Sequence, residues 1–287
     1  MSRNRSRTGL EHETKDAQAP IPQVTAAATQ DEGNPFSFVV PTEFVELPSK
    51  GKFYPENHPL HEQETIEIKQ MTAKEEDILT SRSLLKKGIA VERVLHSLMV
   101  DKRVDPESLI VGDRNAIIIA ARVSGYGHEY TTKIACPACS AQQQYTFDLN
   151  DAVITSGQSA EVTPNGDGTY SVLLPKTKLT ATFRVLTGRD EKRLTASVEK
   201  SRKSNKADKI ITSQLKNIIC AVNGNDTEEA ISYVADNLPS MDSAYLRKAY
   251  RLTAPDVDLS QHFDCIACDH SQEMEVPLTA DFFWPDI

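Results

Sequence analysis

The sequence predicts an α+β protein of two duplicated helical and strand halves, each ending in a Cys-x-x-Cys knuckle hairpin. Three observations carry that expectation. "TTKIACPACSAQQQYTFDL" (131–149) holds Cys136 and Cys139 between strand-like segments. "HFDCIACDHSQEMEVPL" (262–278) holds Cys265 and Cys268 in the same setting. The sequence ahead of the first pair also matches the sequence ahead of the second, in the same order.

Residues 1–37 are rich in Arg, Gln, Ala, Thr and Pro with few large apolar side chains. They cannot bury enough surface to offset chain entropy, so a disordered arm is expected. Its Arg3, Arg5 and Arg7 are either solvated or in contact with an acidic partner.

The first half is expected over 38–155. "FVELP" and "KFY" flank Ser49-Lys50-Gly51 as in a hairpin or tight turn, with Gly51 able to take positive φ. "ETIEIKQ" (64–70) alternates like a half-buried strand. "TAKEEDILTSRSLLKKG" opens with Thr72 and Glu75 at capping-box spacing and closes on Gly88, which predicts one helix between them. Further helices are expected over about 90–103 and, beginning at Asp113, about 113–124, where "SGYG" (124–127) ends the run. A hairpin connector is expected over 156–178, because "NGDG" is a strong turn signal and strand-like "TYSVLLP" follows it. The second half is expected over 179–287.

The duplication is read from two blocks. "IKQMTAKEEDILTS" (68–81) lies over "FRVLTGRDEKRLTA" (183–196) at an offset of 115, pairing Thr72 with Thr187, Glu76 with Glu191 and Leu79 with Leu194. Further on the offset is 129, pairing Asp113 with Asp242, Arg122 with Arg251, Cys136 with Cys265 and Cys139 with Cys268. The larger offset implies about 14 extra residues in the second copy, and "GNDTEEAISYVADNLPS" (224–240) reads as the added helix.

A tight turn between strands presents two thiolates to one side, and two such knuckles supply the four sulfurs of a tetrahedral Zn²⁺. Cys136, Cys139, Cys265 and Cys268 are therefore the expected ligands of one shared structural zinc, despite the 125 residues (140–264) between the pairs. A four-thiolate site leaves no open position for water or substrate. A redox Cys-x-x-Cys needs its first cysteine at a helix N-terminus, whereas strand-like sequence follows here. An iron–sulfur cluster or disulfides are the other readings. His262 and His270 lie near enough in sequence to replace a cysteine, and Cys220 in "LKNIICAV" reads as a core cysteine on an apolar helical face.

Composition bounds the function. The 287 residues carry a formal net charge of −9, which argues against a general nucleic-acid binder. Around the first knuckle Lys133 is the one strong base, and around the second Asp264, Asp269, Glu273 and Glu275 are acidic. The basic stretch "RDEKRLTASVEKSRKSNKADK" (189–209) mixes in four acids and reads as a solvated helix and loop. No apolar run approaches the roughly 18 residues of a membrane span. The N-terminus lacks an apolar signal region, so a chain made in a reducing cytoplasm is expected, where paired cysteines bind metal sooner than they form disulfides. No nucleophile elbow, phosphate loop, dinucleotide motif or His-Glu metalloprotease spacing is present, and no enzyme or small-molecule substrate is expected. The dense aromatics Phe282, Phe283 and Trp284 either fold back onto the core or dock in a neighbour, and are the candidate partner contacts.

"LPSKGKFYP", "MTAKEEDILTS", "VGDRNAIIIAARVSGYGHEY" and "CPAC" follow one another in an order that resembles the T4-type bacteriophage baseplate hub protein family of contractile-tailed phages. The likeness runs from about Leu47 to the C-terminus and omits the arm. It implies a structural or assembly component of the tail baseplate hub, made in the bacterial host cytoplasm and bound to other baseplate and tail proteins. It brings no catalytic residues, and the zinc expectation rests on the cysteines alone. The alternative reading is a zinc-ribbon adaptor or regulator of nucleic-acid machinery.

Overall fold

In a computed structural model the described residues are 24–25, 40–157, 161–203, 210–277 and 280–283. Alternation in "TEFVE" and "TIEIK" makes β2 (Thr42–Glu46) and β3 (Thr65–Lys69) half-buried strands, paired antiparallel with Phe44 opposite Glu67. The partner of β2 is thus β3, not the expected "KFY" segment. The chain between them turns through Lys50 and Gly51, both at positive φ. Most of the expected arm lies outside the described residues. Its Val24–Thr25 are an exception: they form β1 and pair with β2 through Phe44 and Glu43.

Thr72 and Glu75 make the anticipated capping box, in which the Glu75 carboxylate accepts from the Thr72 N–H (3.0 Å) and hydroxyl (2.6 Å). The helix they start is shorter than expected. α1 (Ala73–Thr80) stops at Ser81, which is extended and starts α2 (Arg82–Lys87), and Gly88 closes α2 in the left-handed conformation. A serine favours a helix boundary because its hydroxyl competes for backbone groups. α3 (Ala90–Leu98) likewise ends before the expected residue 103.

α4 (Val111–Tyr126) begins ahead of Asp113, so this residue does not cap it. Asp113 is instead fully buried and accepts from the Ser49 N–H (2.9 Å), the Ser49 hydroxyl (2.6 Å) and the Tyr54 hydroxyl (2.8 Å). It ties the 47–54 loop to the first turn of α4. The apolar run Ala116 to Ala121 is buried on every side, and α4 is the axis of the first core.

Two antiparallel strands follow, β4 (Glu129–Ala135) and β5 (Gln142–Asp148), and then the short β6 (Val153–Thr155). The expected connector is part of a sheet: β7 (Thr163–Pro164) and β8 (Thr169–Leu173) flank the "NGDG" turn and continue into β9 (Thr180–Arg184). After α5 (Gly188–Lys203) and α6 (Ile210–Ile218), β10 (Ile219–Val222) completes the order β10-β9-β8-β7. α7 (Glu228–Asn237) occupies the stretch read as an added helix, and α8 (Ser240–Thr253) packs on the sheet through Leu246 and Ala249. The chain then forms β11 (Asp256–Asp258), β12 (Ser260–Asp264), β13 (Ser271–Glu275) and a final 3-10 turn (Ala280–Phe283).

The result is a mixed helix and strand fold with two cores. Phe183, Leu215, Ile218 and Leu246 belong to the second, whereas Leu259, Phe263 and Cys265, although late in the chain, join the first. The cores are joined by ion pairs from α5 to the first half, Arg114–Glu191 (2.6 Å) and Lys192–Glu107 (2.7 Å), while β6 pairing with β11 returns the end of the chain to the first core. Gly112 of α4 lies against Pro255, where a Cβ would collide with the carbonyl.

Candidate metal centre

Each cysteine pair occupies the turn of its hairpin, β4–β5 or β12–β13. The two turns have the same backbone. The Cys136 N–H donates to the Ala141 carbonyl (2.9 Å) and the Cys265 N–H to the His270 carbonyl (2.8 Å). Ser140 (φ 60°) and Asp269 (φ 53°), one residue beyond each pair, take the left-handed conformation that closes the turn. The Ala267 N–H points at the Cys265 sulfur (3.4 Å).

Side chains from one hairpin clasp the other. Gln143 Nε2 donates to the Asp264 carbonyl (2.8 Å) while its Oε1 accepts from the Ile266 N–H (3.0 Å). Gln261 does the same for Asp148, with its Nε2 donating to the carbonyl (2.6 Å) and its Oε1 accepting from the N–H (3.1 Å). The Tyr145 hydroxyl donates to the His262 carbonyl (2.7 Å), and its ring packs on buried Phe263.

The clasp brings four sulfurs together. Cys136 and Cys268 are 3.8 Å apart, Cys139 and Cys265 3.7 Å, and all four sulfurs lie within 4.8 Å of one another. A tetrahedron with metal–sulfur bonds of about 2.3 Å has edges of about 3.8 Å, so this spacing suits a four-thiolate metal ion. It is far beyond a disulfide's roughly 2.05 Å, and all the cysteines are free. Cys136 and Cys265 are buried and Cys139 and Cys268 exposed, so the group sits at the edge of the first core.

The thiol pKa values of Cys136 and Cys268 are pushed in opposite directions. Bonds from the Cys139 and Ala138 N–H groups bring Cys136 down to about 6 against the effect of burial. For Cys268 the His270 N–H lowers the value, but the neighbouring sulfurs and burial outweigh it and push it to about 12. A divalent cation at the centre would remove that conflict by stabilising all four thiolates.

The other candidates fall elsewhere. His270 Nε2 meets Gln272 Oε1 (3.1 Å), His262 lies among Ser271, Asp264 and Glu273, and neither belongs to the sulfur cluster. Cys220 is half-buried on strand β10 rather than on a helix, with its thiol pushed up by burial. Phe282 and Phe283 are 1% and 7% exposed in the first core, so these expected partner contacts face inward. The Phe282 carbonyl accepts from Arg122 Nε (2.7 Å), and Trp284 lies outside the described residues. Gln143 and Gln261 have no local signature as brackets, since nothing in "AQQQY" (141–145) or "LSQHF" (259–263) sets the glutamine apart.

The family model described as T4 bacteriophage base plate protein matches residues 40–284, which include both cysteine pairs and both cores. The chain belongs to this family. No curated protein and no solved structure matches it. As a T4-type base plate protein it has a structural role in the phage baseplate, and the family associates it with the virion tail and its other proteins. Among the described residues no helix of this base plate protein is long and apolar enough to cross a membrane.

Proposed function

We propose that this base plate protein is a structural or assembly part of the baseplate hub, held together by one zinc ion shared between two duplicated halves. The zinc is structural, with Cys136, Cys139, Cys265 and Cys268 as its ligands. The protein acts by binding other baseplate subunits, and neither catalysis nor a small-molecule substrate is part of the reading. The observation that carries it is that the sulfurs meeting at 3.7 and 3.8 Å come in each case from different hairpins, so neither knuckle closes the site alone.

The duplication has support beyond the cysteines. At the offset of 115, β3 falls on β9 and the start of α1 on the start of α5. The bonds from Thr72 to Glu75 recur from Thr187 to Asp190, at 3.0 Å from the N–H and 2.9 Å from the hydroxyl. At the offset of 129, α4 and α8 begin together, and Asp113 and Asp242 are both buried acids. Asp242 accepts from the Thr177 N–H (2.8 Å) and hydroxyl (2.7 Å), as Asp113 does from Ser49. On this reading the first half (38–155) and second half (179–287) are copies, and 156–178 supplies the second copy's counterpart of β2.

The nucleic-acid alternative finds no support at the ribbon. Its exposed charges are chiefly Asp264, Asp269, Glu273 and Glu275, which would repel phosphate. Infection with phage lacking this chain tests the baseplate role: tails should fail at baseplate assembly, and a normal yield of contractile tails would refute it.

A further inference from the structure

The knuckle tips and a cavity at the other end of α4 have complementary character. At the tip, Ile266 is 84% exposed, the most exposed of the large apolar side chains among the described residues. Ala267, Pro137 and Ala138 beside it are exposed as well, because the adjoining sulfurs bring the two turns together. The surrounding charges are acidic, with Asp264, Asp269 and Glu273 all exposed. Covering this isoleucine in a contact would bury apolar surface worth about 2 kcal/mol.

The cavity, of about 790 Å³, is lined by Phe53, Tyr170 and Val162, with Lys50 and Lys52 on its wall. Neither lysine amine has an ion-pair partner among the described residues. Asp167, between the cavity glycines Gly166 and Gly168, is occupied by the Thr169 N–H (2.9 Å) and hydroxyl (2.5 Å), and Asp113 is occupied by Ser49 and Tyr54. The cavity therefore offers an apolar, aromatic floor and two free cations, and suits an apolar tip flanked by carboxylates.

Tip and cavity cannot meet within one chain. Ser49 of the cavity is bonded to Asp113 in the first turn of α4, while the β4–β5 hairpin starts after its last turn, where Arg122 holds the Gly127 and Glu129 carbonyls. The 16 residues of α4 separate these points by about 24 Å.

We infer that the knuckle tip of one copy, centred on Ile266, inserts into the Lys50/Lys52 cavity of a second copy. The contact is head-to-tail, so it builds a ring if its rotation closes and a filament if it does not. It rests on the paired ribbon of the proposed function, which presents the tip.

Sedimentation velocity on the full chain from about 1 to about 100 µM tests it, with metal content measured on the same samples. Wild type should associate with concentration, and Ile266→Asp and the double variant Lys50→Glu/Lys52→Glu should each weaken association at least about tenfold while staying folded by circular dichroism. An equimolar mixture of the two should form dimers and nothing longer, since one retains a cavity and the other a tip. A wild type that remains monomeric, a variant that associates normally, or a mixture that fails to pair would overturn the inference. If the sample holds its metal while failing in these ways, the ribbon stands and only the docking falls. A sample lacking metal with unpaired knuckles would remove the ribbon itself, and the docking with it.

Discussion

The sulfur of Cys139 lies 3.7 Å from that of Cys265, 126 positions further along the chain, while their hairpins are clasped by Gln143 and Gln261. That contact joins a part of the chain preceding the second core to a part following it. The buried residues of the second core lie entirely between these two positions, whereas Phe147, Leu149, Val257 and Leu259, also between them, stay in the first. The joint therefore governs how both halves fold.

Arg122 is the second anchor of that joint. Its buried guanidinium donates to the carbonyls of Phe282 (2.7 Å), Gly127 (2.7 Å) and Glu129 (3.1 Å), linking α4, the first hairpin and the closing turn. Arg122→Ala leaves three carbonyls without that donor and should cost about 3 kcal/mol in denaturant unfolding. Phe282 should also become accessible to protease. Arg122→Lys should recover only part of the loss, because one ammonium cannot span three acceptors in a plane.

Gly112 sets the distance between α4 and the segment entering β11. A Cβ there would strike the Pro255 carbonyl, and backbone cannot step aside as a flexible side chain can. Gly112→Ala should destabilise by about 2 kcal/mol, although alanine is the better helix former by about 1. Thermal melting of this single variant checks the claim, and a rise in Tm would show that the two halves are less tightly joined.

Asp190 should make the second core sensitive to acid. Burial works to raise its pKa, but bonds from Arg184 (2.7 and 2.9 Å) and Thr187 outweigh burial and hold it at about 2, below the ordinary 3.8. A lowered folded value means the stabilisation is complete above about pH 4 and is lost as pH falls through about 2. Asp190→Asn should remove that portion of the acid slope and lower stability at pH 7, both read from urea unfolding against pH.

Glu43 should act in the opposite direction. Both its carboxylate oxygens are buried on β2, and burial raises its pKa above 4.5; the Ser124 hydroxyl, which donates to the Ala121 carbonyl, is placed too loosely to satisfy Glu43 and only moderates the rise. A raised folded value means its contribution is fully present below the unfolded pKa and is lost as pH rises through the folded one. Glu43→Gln should therefore be more stable than wild type at pH 8 and lose the advantage near pH 4. Equal stability of the two proteins at both pH values would contradict this.

Local chemistry was legible in the sequence where the partners are local. The capping box of Thr72 and Glu75, the left-handed Gly51 and Gly88, the "NGDG" turn and both knuckles follow from residues within a few positions of one another. What escaped depends on distant partners. Asp113 reads as a helix cap until Ser49 and Tyr54 arrive from over 50 positions away. β2 looks like one arm of a short hairpin because the turns between it and β3 carry their own strand-like "KFY". "TYSVLLP" reads as part of a connector because only its pairing with β9 reveals it as sheet. Phe282 and Phe283 could equally cover a core or meet a neighbour, and the Arg122 bond that turns the chain inward has no local signature.

Metal content of protein purified without added metal, measured for wild type beside Cys136→Ser and Cys265→Ser, tests the shared site most directly. The account predicts one zinc per wild-type chain, lost in both single variants together with a large drop in thermal stability, since structural zinc contributes on the order of 10 kcal/mol. A wild type without zinc, or either variant keeping its full complement, would contradict a single site built from both halves.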